Sequence, residues 1–199
     1  MKKAALALVI ALCLLAALFP AAALADDGTM ETTGYRVLVN VKDDKLAVIT
    51  EEIDVNFLTY MHGIMRYIPY RGETTEQVSG EEVVTKYRNR ISDIFVSGYD
   101  YQTYTESGFQ VIQIGDPDRT VDGPHTYQFS YRYQMAADPH EEFDTLYLNV
   151  VPTKWNTDIT TATVTINMPQ AFDADKIEVF SGGGTAGNTK TTIDGNTIK

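Results

Sequence analysis

Apolar and polar residues alternate with a period of two over much of the chain. In residues 125–134 the aromatic side chains share one face and polar side chains share the other. These aromatic residues are Tyr127, Phe129, Tyr131 and Tyr133. Such alternation is typical of a half-buried strand in an antiparallel sheet. The same pattern predicts strands over residues 35–41, 46–57 and 160–168, the first two forming a hairpin.

Shorter alternating or apolar segments predict further strands. They cover residues 65–68, 91–97, 109–114, 145–150, 176–180 and 191–193, the last followed by an Asp194-Gly195 turn signal. Residues 76–89 carry charges without an apolar stripe, which predicts a loop with at most one turn of helix. Nine or ten short strands separated by turns indicate an all-β antiparallel sandwich with little or no helix after the N-terminal segment.

The first 25 residues have the features of a secretory signal. Lys2 and Lys3 precede 16 uninterrupted apolar residues, Pro20 follows, and Ala23-Leu24-Ala25 matches a cleavage pattern. An uncleaved membrane anchor is the alternative, but 16 residues are few for a span. We therefore expect a cleaved signal over residues 1–25 and one extracytoplasmic domain over residues 26–199.

The composition of the chain argues against several classes of function. Cleavage would remove two lysines and change the net charge from −11 to −13, and so acidic a chain disfavours a nucleic-acid partner. Cleavage would also remove Cys13, which excludes disulfides, thiolate catalysis and cysteine-based zinc sites from the rest. No later stretch reaches the roughly 18 apolar residues that a membrane helix requires.

One acidic segment is a weak calcium candidate. Asp116, Asp118 and Asp122 lie within seven residues, and carboxylate oxygens are calcium ligands. The EF-hand spacing fails, because Val121 stands at position six and Tyr127 at position twelve. A turn in which aspartate side chains accept backbone hydrogen bonds explains the same residues and is favoured. The sequence predicts neither a metal site nor a cofactor.

Glu51 conflicts with its surroundings, because it shares a strand face with Ile49 and Ile53. A carboxylate on an apolar face must be paired or change its pKa. The nearest basic groups beyond the strand are His62 and Arg66. We predict a buried or half-buried Glu51–Arg66 pair, with Gly63 permitting a chain reversal between them. A pair that fixes strand register is favoured over a charged site in a cleft.

Trp155, the sole tryptophan, has two interpretations. Beside Lys154 and Asn156 on a β scaffold it could be an exposed platform for a sugar ring. A tryptophan buried in a sandwich core is at least as well supported.

Two motifs support a family resemblance. The first places His62, Gly63, Arg66 and Pro69 in one eight-residue run, and the second includes Gly115, Asp116, His125 and Tyr127. Together with residues 146–150 and Trp155, they resemble the N-terminal extracytoplasmic domain of bacterial predicted membrane proteins, domain of unknown function 2207. The resemblance implies a secreted β domain followed by transmembrane helices. It implies no known enzymatic activity and assigns no role to the motif residues.

The sequence thus favours a non-enzymatic interaction or sensing domain on the surface of a membrane-tethered bacterial protein. Its partner would be a protein or a cell-wall glycan, and membrane contact would need a segment absent from this sequence. We expect the natural chain to continue beyond Lys199. A carbohydrate- or cell-wall-binding module is the alternative. A hydrolase pairing Glu51 with Asp54 or Asp144 is a third hypothesis, although alternation places Glu51 and Asp54 on opposite faces.

Overall fold

The structure, a computed structural model, describes residues 29–78, 81–136, 146–152, 154–177, 179 and 190–199. The predicted signal and Asp144 lie outside the described residues. No helix in the described part of the chain is long and apolar enough to cross a membrane.

The described residues form twelve strands rather than nine or ten. The first six are β1 (Met30–Val41), β2 (Leu46–Met61), β3 (Ile64–Pro69), β4 (Arg71–Val78), β5 (Glu81–Arg88) and β6 (Arg90–Ser97). The others are β7 (Tyr101–Glu106), β8 (Phe109–Ile114), β9 (Val121–Gln134), β10 (Ala162–Asn167), β11 (Ile193–Asp194) and β12 (Thr197–Ile198). A 3-10 turn covers Ala174–Lys176.

A seven-stranded sheet forms one layer, with the strand order β11-β12-β10-β1-β2-β9-β6. Its neighbouring strands are antiparallel except β1 and β10, which are parallel. At the centre, β2 pairs with β1 on one side and with β9 on the other, so that Glu51 lies between Val37 and Phe129. This register directs the predicted aromatic face of β9 inward, where Tyr127, Tyr131 and Tyr133 are buried.

A three-stranded sheet with the order β3-β8-β7 forms the second layer. Its inward residues join the same apolar core as the residues of β1, β2 and β9, and they include Ile64, Ile68, Ile112 and Ile114. Within the described part of the chain, strands β4 and β5 pair only with each other, as a separate hairpin. The predicted all-β sandwich is therefore confirmed.

The structure corrects three local predictions. Residues 76–89, predicted as a loop, belong largely to the β4–β5 hairpin. The described residues 146–150 form no strand although Leu146 and Leu148 are buried, because their alternation reflects insertion into the core rather than backbone pairing. Near the predicted strand over 176–180, the described backbone has the 3-10 turn instead, and residues 178 and 180 lie outside the described part.

Candidate functional site

The predicted Glu51–Arg66 pair is present between the two sheets. Glu51 projects inward from β2, and Arg66 projects inward from β3 of the facing sheet. Arg66 Nε lies 2.8 Å from Glu51 Oε2, and its Nη2 lies 3.0 Å from Glu51 Oε1. Each side chain is only 1% exposed. The contact across 15 residues requires the chain to bend back between β2 and β3.

Two tyrosines complete the surroundings of the Glu51 carboxylate. Tyr131 donates a 2.6 Å hydrogen bond to Oε1, and Tyr35 donates to Oε2. Burial raises the pKa of both phenols, and the Glu51 charge adds to the rise. Burial disfavours the charge of Arg66, but Glu51 together with Tyr35 and Tyr131 offsets that cost, so the pKa of Arg66 lies above its usual value. Both carboxylate oxygens of Glu51 are therefore engaged within the core.

This buried cluster of Glu51, Arg66, Tyr35 and Tyr131 offers no approach for a ligand. Asp54, the proposed hydrolytic partner, lies on the opposite face of β2. There it accepts hydrogen bonds from Arg36 (2.6 Å) and Thr126 (2.7 Å). The two carboxylates therefore cannot act on one substrate, and the arrangement favours the interpretation of Glu51–Arg66 as a structural pair.

The two sequence motifs meet at a pair of glycines. Gly63 and Gly115 both have positive φ, of 119° and 128°. A Cβ on Gly63 would lie 1.9 Å from the carbonyl oxygen of Ile114, and a Cβ on Gly115 would lie 2.0 Å from that of His62. Only glycine at each position allows this close backbone approach. The motifs thus share one junction at the start of the β3–β8 ladder.

His62 ties this junction to the loop that follows β8. Its Nδ1 lies 3.1 Å from the carbonyl oxygen of Arg119 and 3.3 Å from that of Asp116. Asp116 Oδ1 accepts a 2.9 Å hydrogen bond from the backbone of Asp118, the aspartate turn that the sequence favoured. Among the described residues, no group of three or more histidine, cysteine or acidic side chains is arranged to hold a metal ion.

His125 and Tyr127 belong to an aromatic cluster on β9. His125 Nδ1 lies 3.2 Å from the Tyr99 hydroxyl, and its ring stacks beside that of Tyr127. Phe57 packs against both rings. His125 also borders a shallow surface cavity of about 270 Å³, whose walls include Asp54 and Thr126. Both ring nitrogens of His125 have neighbours within hydrogen-bond distance, the Tyr99 hydroxyl and the carbonyl oxygen of Asp122, so its ring is held in place beside the cavity.

Pro69 fixes the base of the β4–β5 hairpin. Its carbonyl oxygen accepts a 3.0 Å hydrogen bond from Tyr133, whose hydroxyl accepts one of 2.6 Å from Asn89. Asn89 Oδ1 accepts a further bond from the backbone of Ala136. The hairpin is therefore anchored to β9 where it begins and ends.

Trp155 faces the protein rather than solvent. It is half-buried against the core, with its ring edge-on to Tyr35, and its Nε1 donates a 2.8 Å hydrogen bond to Thr32. The exposed platform required by the carbohydrate interpretation is therefore not formed by this residue.

A partly exposed aromatic surface, which the sequence interpretation missed, covers the outward side of the three-stranded sheet. We call it the outer strip. The cross-strand partners Tyr67, Val111 and Tyr104 form its central row, and Val111 is fully buried between the two tyrosines. Its remaining members are Met65, Pro69, Phe109, Gln113, Gln102 and Glu106. The Ser107-Gly108 turn between two β-prone segments was the signal that could have revealed β7.

Charged groups lie on the outer strip as well. Lys154 Nζ stands 4.4 Å from the ring centre of Phe109 and 5.2 Å from that of Tyr67. Burial, together with the nearby Tyr104 and Glu106, raises the pKa of Tyr67. The outer strip thus already holds one cation over its aromatic rings.

Comparisons with solved structures found likenesses at low identity. An M1 zinc metallopeptidase from Deinococcus radiodurans matches with 9% identity and a TM-score of 0.39, covering 85% of this chain and 38% of that one. Native leukotriene A4 hydrolase from Saccharomyces cerevisiae matches with 10% identity and a TM-score of 0.34, covering 53% and 15%. The chain thus spans well under half the length of these structures. A comparison with curated proteins found no match.

The family comparison covers most of the chain. The family described as "Predicted membrane protein (DUF2207) N-terminal domain" matches residues 31–199, which include all of the described strands except Met30 at the start of β1, and both glycine-containing motifs. The chain belongs to this family.

Proposed function

We propose that this domain is a non-enzymatic interaction module on the outer side of a membrane, and that it binds a protein partner through the β3-β8-β7 sheet. The single observation that supports the proposal most is the outer strip. Tyr104 and Met65 are both exposed there, beside the rings of Tyr67 and Phe109. Exposed aromatic residues and methionine on one face are typical of protein interfaces.

The burial of the Glu51–Arg66 pair supports the same proposal. The side chains of Glu51 and Arg66, which the sequence singled out as a charged pair, bind each other inside the core. The predicted signal and the membrane-protein family both support a location outside the membrane.

Site-specific photo-crosslinking in the source cells tests the proposal. A photoreactive phenylalanine analogue replaces Tyr104 or Met65, and Thr163, exposed on the outward side of the other sheet, is the control position. We expect discrete protein adducts from positions 104 and 65 and none from position 163. Equal adducts from all three positions, or none from any, would contradict the proposal.

Glycan binding is the second candidate, supported by the same aromatic rings. Tyr104 and the amides of Gln102 and Gln113, which lie 2.9 Å apart, could stack on and hydrogen-bond a sugar. Retention on cell-wall polysaccharide that is lost in Tyr104→Ala, without protein adducts, would favour this candidate over the first.

A further inference from the structure

We infer that the free edge of β7 is a docking site for an extended, positively charged polypeptide segment, which adds to the β3-β8-β7 sheet as a fourth strand. The inference deepens the proposed function, because it names the mode and the chemistry of the partner at the same sheet.

Among the described residues, no strand pairs with the outer edge of β7. All six residues of β7 are exposed, and all six pair with β8 without a bulge. The backbone N–H of Gly115 donates a hydrogen bond to the carbonyl oxygen of Asp100. Because hydrogen-bonded pairs alternate along an antiparallel ladder, the backbone groups of Asp100 and of every second residue after it face β8. The N–H and C=O groups of Tyr101, Thr103 and Thr105 therefore point away from β8, where β7 has no neighbouring strand among the described residues.

The corresponding edge of the larger sheet is protected. Strand β6 contains an irregularity between Ser92 and Phe95, with Asp93 at a φ of 51°. The Tyr101 hydroxyl also covers the carbonyl oxygen of Ile94 at 2.9 Å. Bulges, prolines and lysines are among the devices by which proteins block strand addition. Strand β7 has none of them, and its residues favour extended structure.

Charge indicates which kind of strand fits. From residue 91 to residue 118 the chain has five acidic residues and no lysine, arginine or histidine. Asp93 and Asp116 lie near Arg132 and Arg119, but Asp100 and Glu106, at the two ends of β7, form no ion pair within the described residues. A partner with lysine or arginine opposite both ends would satisfy them. Lys154 on the outer strip shows how a cation is held beside these rings.

A second copy of this chain fits less well. In the antiparallel two-fold pairing centred on Thr103, Asp100 of each copy would face Glu106 of the other. Like charges directly opposite each other destabilise a strand pair. The complementary occupant is therefore a basic segment rather than another β7.

The test uses a labelled synthetic peptide of about seven residues, with alternating threonine and valine between two terminal lysines, a length typical of strands. The key variant is Thr103→Pro, which removes an N–H that points away from β8 and so preserves the β7–β8 ladder. Its matched control is Thr103→Val, which keeps that N–H. Circular dichroism and thermal unfolding verify that both variants are folded.

We expect fluorescence anisotropy to show that the peptide binds the unmodified protein and Thr103→Val alike. Binding to Thr103→Pro should be weaker by about tenfold or more, since strand addition depends on main-chain hydrogen bonds. Asp100→Asn with Glu106→Gln should weaken binding and reduce its dependence on salt. A peptide with glutamates in place of the lysines should bind more weakly to the unmodified protein. Amide exchange at Tyr101, Thr103 and Thr105 should slow on binding.

Equal binding to Thr103→Pro, or no preference for the lysine peptide, would overturn the inference. So would a concentration-dependent dimer that Thr103→Pro abolishes, since self-pairing would then occupy the edge. If position 104 still forms protein adducts in cells when Thr103→Pro is also present, the proposed interaction function is retained and the inference of strand addition is rejected.

Discussion

The buried cluster shows how single residues hold the two sheets together. Arg66 reaches across the core to Glu51, and Tyr35 and Tyr131 complete the hydrogen bonds of that carboxylate. A buried ion pair gives little net stability compared with apolar residues of similar volume. Removing one partner, however, leaves the other charge buried without compensation.

Arg66→Met should therefore lower the free energy of unfolding by about 3–5 kcal/mol, measured by urea denaturation. Arg36→Met is the matched control, because Arg36 pairs with Glu52 and Asp54 on the exposed side of the same sheet and should cost less than about 1 kcal/mol. Adding Glu51→Gln to Arg66→Met should recover part of the loss. Equal costs for the two single variants would contradict the buried-charge explanation.

The same cluster predicts a loss of stability in alkali. Tyr35 and Tyr131 have pKa values above the ordinary 10.0 in the folded chain, so the unfolded chain releases these protons first. Folding is therefore favoured below pH 10 and weakens as pH rises above it. Tyrosinate absorbance from these two residues should appear together with unfolding. Full tyrosine ionisation in a chain with native circular dichroism would refute this.

At the scale of elements, the fold depends on the junction where the β2–β3 connection meets the end of β8. The β2–β3 connection and the end of β8 approach so closely at Gly63 and Gly115 that neither position has room for a side chain. Because Arg66 follows Gly63 by three residues, this junction also sets the position from which Arg66 reaches Glu51.

Gly63→Ala and Gly115→Ala should each destabilise the fold by more than about 3 kcal/mol, because a backbone clash adds to left-handed strain of about 1–3 kcal/mol. Gly98→Ala is the control, since Gly98 also has positive φ, of 76°, but a Cβ at that position would have no neighbour within 4 Å. It should cost only about 1–2 kcal/mol. Thermal and urea unfolding measure all three, and equal losses would show that strain alone is responsible.

The sequence predicted the strands that bury one face and missed those that do not. Strands β1, β2, β9 and β10 were found because alternation records the side that meets the core, and Glu51 stood out on such a face. All six residues of β7 are exposed, and the β4–β5 hairpin pairs with neither sheet among the described residues, so neither carries the alternation of a strand with one face on the core. Leu146 and Leu148 alternate without forming a strand. The outer strip was missed for the same reason: it depends on pairing among β3, β7 and β8, which local patterns do not record.

At the scale of the whole molecule, charge is the dominant property. Because the net charge is −11, the folded chain holds many negative charges close together. Their mutual repulsion lowers the stability of the folded state. The described ion pairs other than Glu51–Arg66 are at the surface and contribute little.

The melting temperature should therefore rise by a few degrees when sodium chloride increases from about 20 to 200 mM, because salt screens repulsion between exposed charges. Differential scanning calorimetry measures the change. Sucrose of equal osmolality is the control for effects that do not depend on charge. A falling melting temperature would mean that attractive surface pairs outweigh the repulsion.

The parallel pairing of β1 with β10 has a consequence for the order in which the fold forms. Tyr35 on β1 pairs with Ala162 on β10, so this pairing cannot form until both ends of the long intervening segment come together. Until then the β1 side of the large sheet is an open edge on a partly folded chain, exposed to wrong pairings and aggregation. Such distant contacts also slow folding, because a long loop must close before they form. The strand that begins the described fold is thus among the last to be completed.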